Sequence, residues 1–97
     1  MPLFAISCVD KSDSLPLRMA TREAHLAYAN GGQTAVRVKL GGPYLYAKGD
    51  MSGSLLIVEA ANRAEVAEFS KNDPYVRAGL FQSVQIRPCR ITVSPPL

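Results

Sequence analysis

His25 is the only histidine in the chain. Histidine titrates near neutral pH and can move a proton in either direction, which makes it the first residue to consider for acid/base chemistry. Arg18 and Arg22 precede it on the same predicted helix. At helical geometry the three side chains fall within about 60° of one another, so they form one polar stripe. Such a stripe can supply a general acid or base in an anion-attracting pocket, with the guanidiniums holding a carboxylate or phenolate substrate. The alternative is a solvated helix face whose side chains bond to glutamates or backbone. Two carboxylates compete to orient His25. Asp73, in Asp73-Pro74-Tyr75, would fix its tautomer, or would be a turn former bonded to its own backbone. Asp10, at the end of the first apolar run, is the other candidate, or else a loop carboxylate. Spacing leaves both open.

The remaining residue types narrow the chemistry. Ser54 can donate a hydrogen bond into a cleft, or serve only a strand entry. No GxxxxGK[ST] loop occurs, no GxGxxG opens a helix, and no GxSxG elbow is present. Cys8 and Cys89 are far apart and form no CxxC pair. One histidine with scattered carboxylates is a poor metal set, so no metal is expected. The cysteines read as small apolar strand residues rather than as a disulfide. Tyr44, Tyr46 and Tyr75 would line an aromatic-substrate pocket or pack in the core.

These residues need a scaffold to bring them together. Residues 3–9 read as a buried strand and residues 15–29 as a helix. Asp13 or Ser14 would cap that helix, Pro16 suits its first turn, and Gly31-Gly32 end it. Leu15, Met19 and Leu26 flank the polar stripe and are expected to face the sheet, leaving the stripe at the edge of the core. Residues 34–40 alternate, with Val36, Val38 and Leu40 on one face and Arg37 and Lys39 on the other. Gly41-Gly42-Pro43 is expected to break this strand, and residues 44–52 to connect it to the next. Residues 53–60 form a second strongly apolar strand. Asn62 caps a second helix, with Glu65 at capping-box spacing. Pro74 stops it, and residues 74–80 add a further turn. The last strand runs over residues 82–93, with Pro88 marking a bulge or an edge. The tail SPPL is expected to be extended.

This order, β-α-β-β-α-β, predicts an α+β, ferredoxin-like sandwich with an antiparallel four-stranded sheet and both helices on one face. Both faces of the sheet are apolar: Phe4, Ile6 and Cys8 oppose Leu3, Ala5 and Val9, and Leu55 and Ile57 oppose Leu56 and Val58. Two helices cover only one face. A second copy is therefore expected on the other, sheet on sheet, in a symmetric homodimer.

The chain has 97 residues, 47% of them hydrophobic and 20% charged, which predicts one globular domain, 1–97, rather than a disordered segment. The net charge of +3 is mild and the basic residues are scattered, so no nucleic-acid partner is expected. No apolar run is long enough for a membrane span and the N-terminus lacks a leader pattern. A cytoplasmic protein without membrane partners is the expectation.

In sequence order, the strand ending in Asp10, Arg18-x-x-x-Arg22-x-x-His25-x-x-Tyr28, Gly42-Pro43 and Gly53-Ser54 before LLIVEA are followed by the Ala64-to-Phe69 helix. Asp73-Pro74-Tyr75, Ala78-Gly79-Leu80 and Ile86-Arg87-Pro88 complete the series. Together these resemble the YciI-like family of the dimeric α+β barrel superfamily. The resemblance implies a ferredoxin-like subunit whose sheet packs on a partner's sheet to close a barrel. It also implies a His-Asp site in a cleft, with His25 in the histidine role, Asp73 in the aspartate role, and Arg22 and Ser54 at pocket-side positions. The segment 31–41 departs from the family in being more basic. Some relatives look like enzymes of aromatic-compound breakdown, including dehydrochlorinase-like ones, and muconolactone isomerase belongs to the wider superfamily. The implied activity is lyase- or isomerase-type proton transfer, without a cofactor, on a small anionic cyclic or aromatic metabolite. Arg18 and Arg22 would anchor that substrate. The alternative is a non-catalytic dimeric protein that binds a small ligand in the same cleft.

Overall fold

The computed structural model describes residues 1–32 and 34–94. The last three residues of the SPPL tail lie outside the described residues. The elements run β1 (Leu3–Asp10), α1 (Leu15–Asn30), β2 (Arg37–Leu45), β3 (Met51–Glu59), α2 (Arg63–Lys71), α3 (Pro74–Arg77) and β4 (Phe81–Cys89). The strands form one antiparallel sheet in the order β2-β3-β1-β4. This is the α+β, ferredoxin-like arrangement that the sequence order predicts. No helix among the described residues is long and apolar enough to cross a membrane.

Alternation along the central strands builds the core. Phe4, Ile6, Cys8 and Asp10 of β1 are buried on the helix-covered face, and Ser54, Leu56 and Val58 of β3 join them. Val66 and Phe69 of α2 close over this layer. Asn62 caps α2 by accepting from the Glu65 amide at 2.9 Å. The outer face carries Leu3, Ala5, Ser7 and Val9 paired across to Glu59, Ile57, Leu55 and Gly53. Ser7 and the Tyr44 hydroxyl hydrogen-bond across this face at 3.0 Å. Pro88 sits on the edge strand β4, where its missing N–H disturbs no central ladder.

Three local expectations need correction. First, Gly41-Gly42-Pro43 does not break β2, which continues to Leu45. Gly41 packs so closely on Leu56 and the Leu55 carbonyl that a side chain would collide there, and Pro43 is tolerated because β2 is an edge strand. The turn comes later, closed by Tyr46 donating to the Asp50 carbonyl at 2.8 Å, with Gly49 at φ +101. Second, Val38 and Leu40 do not share a face. Val38 pairs with Val58 and Leu40 with Ile57, so a bulge at Lys39 shifts the alternation by one residue. Third, Leu26 and Met19 do not face the sheet, being 38% and 53% exposed, and Leu15 is only half-buried. Arg18 and His25 are the buried residues of α1. Two members of the polar stripe are therefore packed inward, while Arg22 stays exposed.

Smaller differences lie at the ends. Ser14 stands at the N-cap of α1 without a side-chain cap bond, its hydroxyl turning back to the Ser12 carbonyl instead. Helix α3 is the single further turn expected, but it ends at Arg77, and β4 stops at Cys89. Both cysteines are free.

Glycine marks the tightest strand contact. A methyl group at Gly53 would collide with the Cys8 carbonyl oxygen, which belongs to the ladder and cannot turn away. At Gly42 nothing lies within 4 Å. Gly53→Ala is expected to lower stability by roughly 1–3 kcal/mol. Gly42→Ala should leave it within about 0.5 kcal/mol. Urea unfolding of the two variants checks the contrast.

Candidate active site

Arg18 is 2% exposed, an extreme position for a guanidinium. Its Nε donates to Asp10 Oδ2 at 2.7 Å and its Nη2 to Asp10 Oδ1 at 2.8 Å. The same Nη2 donates to Ser54 Oγ at 2.8 Å. Helix α1 is thereby tied to the end of β1 and the start of β3. Burial alone would lower the Arg18 pKa, but the Asp10 carboxylate outweighs it and raises it above its ordinary value.

His25 lies two helical turns beyond Arg18 on the same face. Its Nδ1 is 2.9 Å from Asp73 Oδ1 and 3.0 Å from Oδ2. A carboxylate only accepts, so Nδ1 carries the proton and, in the neutral ring, Nε2 carries the lone pair. Nε2 has no hydrogen-bond partner among the described residues, and no buried side-chain nitrogen there lacks one, so Nε2 is open to the cavity. Asp73 is itself fixed. It is the N-cap of α3, and its Oδ1 accepts the Tyr75 amide at 2.9 Å. The Asp-Pro-Tyr element is thus both a turn former and a histidine partner.

Tyr75 joins the two halves of the site. The His25 ring stacks on it, with centroids 4.1 Å apart and planes at 16°. The Arg18 guanidinium carbon lies 4.6 Å from the Tyr75 ring centroid, in cation–π range. Burial pushes the Tyr75 phenol up, while Arg18 and then Arg22 pull it down; the net direction is up. Tyr75 therefore stays neutral at physiological pH. Cys8, on the same layer, is equally inert. Burial first and Asp73 second push its thiol to about 12, against the opposing charge of Arg18.

These groups border a cavity of about 260 Å³ between α1 and β2, with β3 beneath. His25, Arg22, Arg18, Ser54 and Tyr75 supply much of its polar side, and Leu26, Val38 and Leu56 much of its apolar side. Arg22 is exposed and has no ion pair among the described residues. Among the described residues no three His, Cys, Asp or Glu side chains converge to hold a metal.

Of the sequence candidates, His25 and Asp73 meet, Arg18 meets Asp10 and Ser54, and Arg22 stands alone at the cavity. Asp10 is occupied by Arg18 rather than by His25. Of the tyrosines only Tyr75 borders this cavity; Tyr44 lies on the opposite sheet face and Tyr46 in the hairpin turn. The stacking of His25 on Tyr75 had no periodic signal, because α1 and α3 are distant in sequence.

Comparison with known proteins agrees with this architecture. The model of the YCII-related domain matches residues 2–90, and the chain belongs to that family. It is 30% identical over 92 residues to Protein YciI of Escherichia coli, covering 89% of this chain and 94% of the relative. Among solved structures it is similar to the 5-chloro-2-hydroxyhydroquinone dehydrochlorinase of Burkholderia phenoliruptrix in complex with 2,5-dihydroxybenzoquinone. That likeness has a TM-score of 0.81 and 38% identity, over 91% of this chain and 93% of the other. An antibiotic biosynthesis monooxygenase, at TM-score 0.59 and 10% identity over 96% of this chain and 100% of the other, shares the fold alone.

The buried ion pair makes a sharp stability prediction. Removing one partner strands a buried charge, so Asp10→Asn and Arg18→Met are each expected to cost about 3–5 kcal/mol. The double variant Asp10→Leu/Arg18→Met should recover most of that loss, because no unpaired charge remains. Chemical denaturation of the three variants measures the coupling.

Proposed function

We propose that this chain is a cofactor-independent enzyme that transfers protons on a small, anionic, cyclic or aromatic compound. The observation that carries the reading is His25, held through Nδ1 by Asp73 while Nε2 opens onto a cavity bordered by cations. His25 is the general base and acid, and Asp73 orients it and stabilises the imidazolium form. Arg22 anchors the substrate anion. Arg18 contributes a fixed positive charge rather than a mobile anchor, since Asp10 and Ser54 hold it.

Loss of HCl from a chlorinated ring triol illustrates the chemistry, and the likeness to a dehydrochlorinase supports the choice. One ring hydroxyl gives up its proton and the chlorine-bearing carbon takes one up, producing the ketone form. A second hydroxyl then yields its proton to Nε2. Its electron pair moves through the ring as a new C=O bond and expels chloride. The substrate loses H⁺ and Cl⁻, and no outside oxidant or cofactor is required. Arg22 opposes the negative charge that builds on the ring oxygens.

The outer face of the sheet supports a homodimer as the working form. Val9 is 49% exposed there and Leu40 37%, beside half-buried Leu55 and Ile57. Two free cysteines fit a reducing compartment, the cytoplasm.

Chloride release from 5-chloro-2-hydroxyhydroquinone tests the reading. The wild type is expected to release one chloride per molecule consumed. His25→Asn should lower kcat by about 10²–10⁴-fold. Asp73→Asn should lower it by at least about 10²-fold, because an amide can hold the ring in the wrong tautomer. Binding of the triol by the wild type without chloride release, unaltered in the two variants, would make this a ligand-binding module.

A further inference from the structure

The bulge in β2 alters what reaches the cavity. In an unbroken alternation Lys39 would follow Arg37 onto the outer face. The bulge leaves Lys39 without a register partner on β3, between Val38 on the helix-covered face and Leu40 on the outer face. Lys39 consequently borders the same cavity as His25 and Arg22. It does so from the β2 wall, whereas Arg22 stands on the α1 wall. Both side chains are exposed, and neither has an ion-pair partner among the described residues.

The charge balance of the cavity is one-sided. Among the described residues no aspartate or glutamate borders it. Arg18 is already matched by Asp10, which leaves Arg22 on the α1 wall and Lys39 on the β2 wall as the cavity's two cations without an ion pair among the described residues. A cavity of about 260 Å³ holds one substituted six-membered ring, since about 150 Å³ suffices for benzene. Arg22 and Lys39 border that one space from α1 and from β2, so a single ring in it has a cation on each wall. A ligand with one acidic group satisfies only one of the two cations, whereas a ring with acidic groups on opposite sides satisfies both.

We propose that Lys39 and Arg22 form a two-point clamp that selects ring compounds carrying two acidic groups on opposite sides. Lys39 is a specificity-determining residue in this scheme, and the clamp deepens the proton-transfer reading by naming the substrate class for the same site. Arg22 holds the anionic group nearer the histidine wall. Lys39 holds the distal one and so sets which ring edge meets His25 Nε2. Because both cations are exposed, the selection is strongest at low ionic strength.

Calorimetric binding of two probes tests the clamp without requiring turnover. The probes are 2,5-dihydroxybenzoquinone, with two acidic hydroxyls on opposite sides, and 2-hydroxy-1,4-benzoquinone, with one. The wild type is expected to prefer the diacid. Lys39→Gln should weaken the diacid about tenfold and change the monoacid less than about twofold. Lys39→Glu should reverse the preference, and Lys71→Gln on α2, remote from the cavity, should change nothing. Lys39 makes no side-chain contact that the fold depends on, so these variants should remain folded; circular dichroism checks this. Diacid binding that ignores Lys39 overturns the clamp and leaves the proton-transfer reading standing. Wild type that binds neither probe overturns the clamp, and chloride release from the triol then decides the proton-transfer reading separately. Lys39-dependent binding in a protein that releases no chloride keeps the clamp and ends the catalytic reading.

Discussion

A guanidinium packed beneath a helix must be matched by charge and hydrogen bonds, because the desolvation cost of an unpaired one amounts to several kcal/mol. Arg18 meets that demand with a bidentate grip on Asp10 and a third bond to Ser54. The consequence is geometric. Asp10 ends β1 and Ser54 lies near the start of β3, so the two central strands together define where α1 can lie. Apolar packing alone would have turned Met19 and Leu26 inward. The buried ion pair instead holds the Arg18 and His25 side of the helix against the sheet and leaves Arg22 exposed at its edge. His25, on the same stripe, is carried to the interior with it, where it is 6% exposed.

Asp73 supplies the second half of the constraint. Its carboxylate caps α3 and also receives His25 Nδ1. Any shift of α3 would therefore loosen the histidine, and any loss of the cap would loosen both. Tyr75 reinforces the link by stacking on His25 while lying within cation–π range of Arg18. The site is thus built on two helices and two strands rather than on a mobile loop. That arrangement suits the proposed proton transfer, in which small displacements of the base would be costly to rate.

Much of this was legible in the sequence. The alternation in β1 and β3, the Asn62–Glu65 cap and the glycines after α1 all mark elements that the fold contains. The helical spacing of Arg18, Arg22 and His25 correctly put them on one stripe. What the spacing could not give was the direction of that stripe. An apolar-moment argument sends Leu15, Met19 and Leu26 to the core, and only the tertiary pairing of Arg18 with Asp10 reverses it. The choice between Asp10 and Asp73 as the neighbour of His25 was open for the same reason, since it depends on how β1 and α3 meet around α1. The bulge at Lys39 was hidden because TAVRVKL alternates cleanly, and a bulge is set by the partner strand as much as by its own residues. Gly41-Gly42-Pro43 looked like a breaker because its edge position and the contact of Gly41 with Leu56 were invisible in one dimension.

The central claim is that His25 is held by Asp73 as the tautomer with its proton on Nδ1, leaving Nε2 free to act in the cavity. Two-bond ¹H–¹⁵N correlation of the His25 ring in mildly alkaline solution, on wild type and Asp73→Asn, tests it directly. The account predicts a proton-bearing Nδ1 and a bare Nε2 in the wild type, with that distinction lost or inverted in Asp73→Asn. A wild-type ring with its proton on Nε2, or one that Asp73→Asn leaves unchanged, would contradict it.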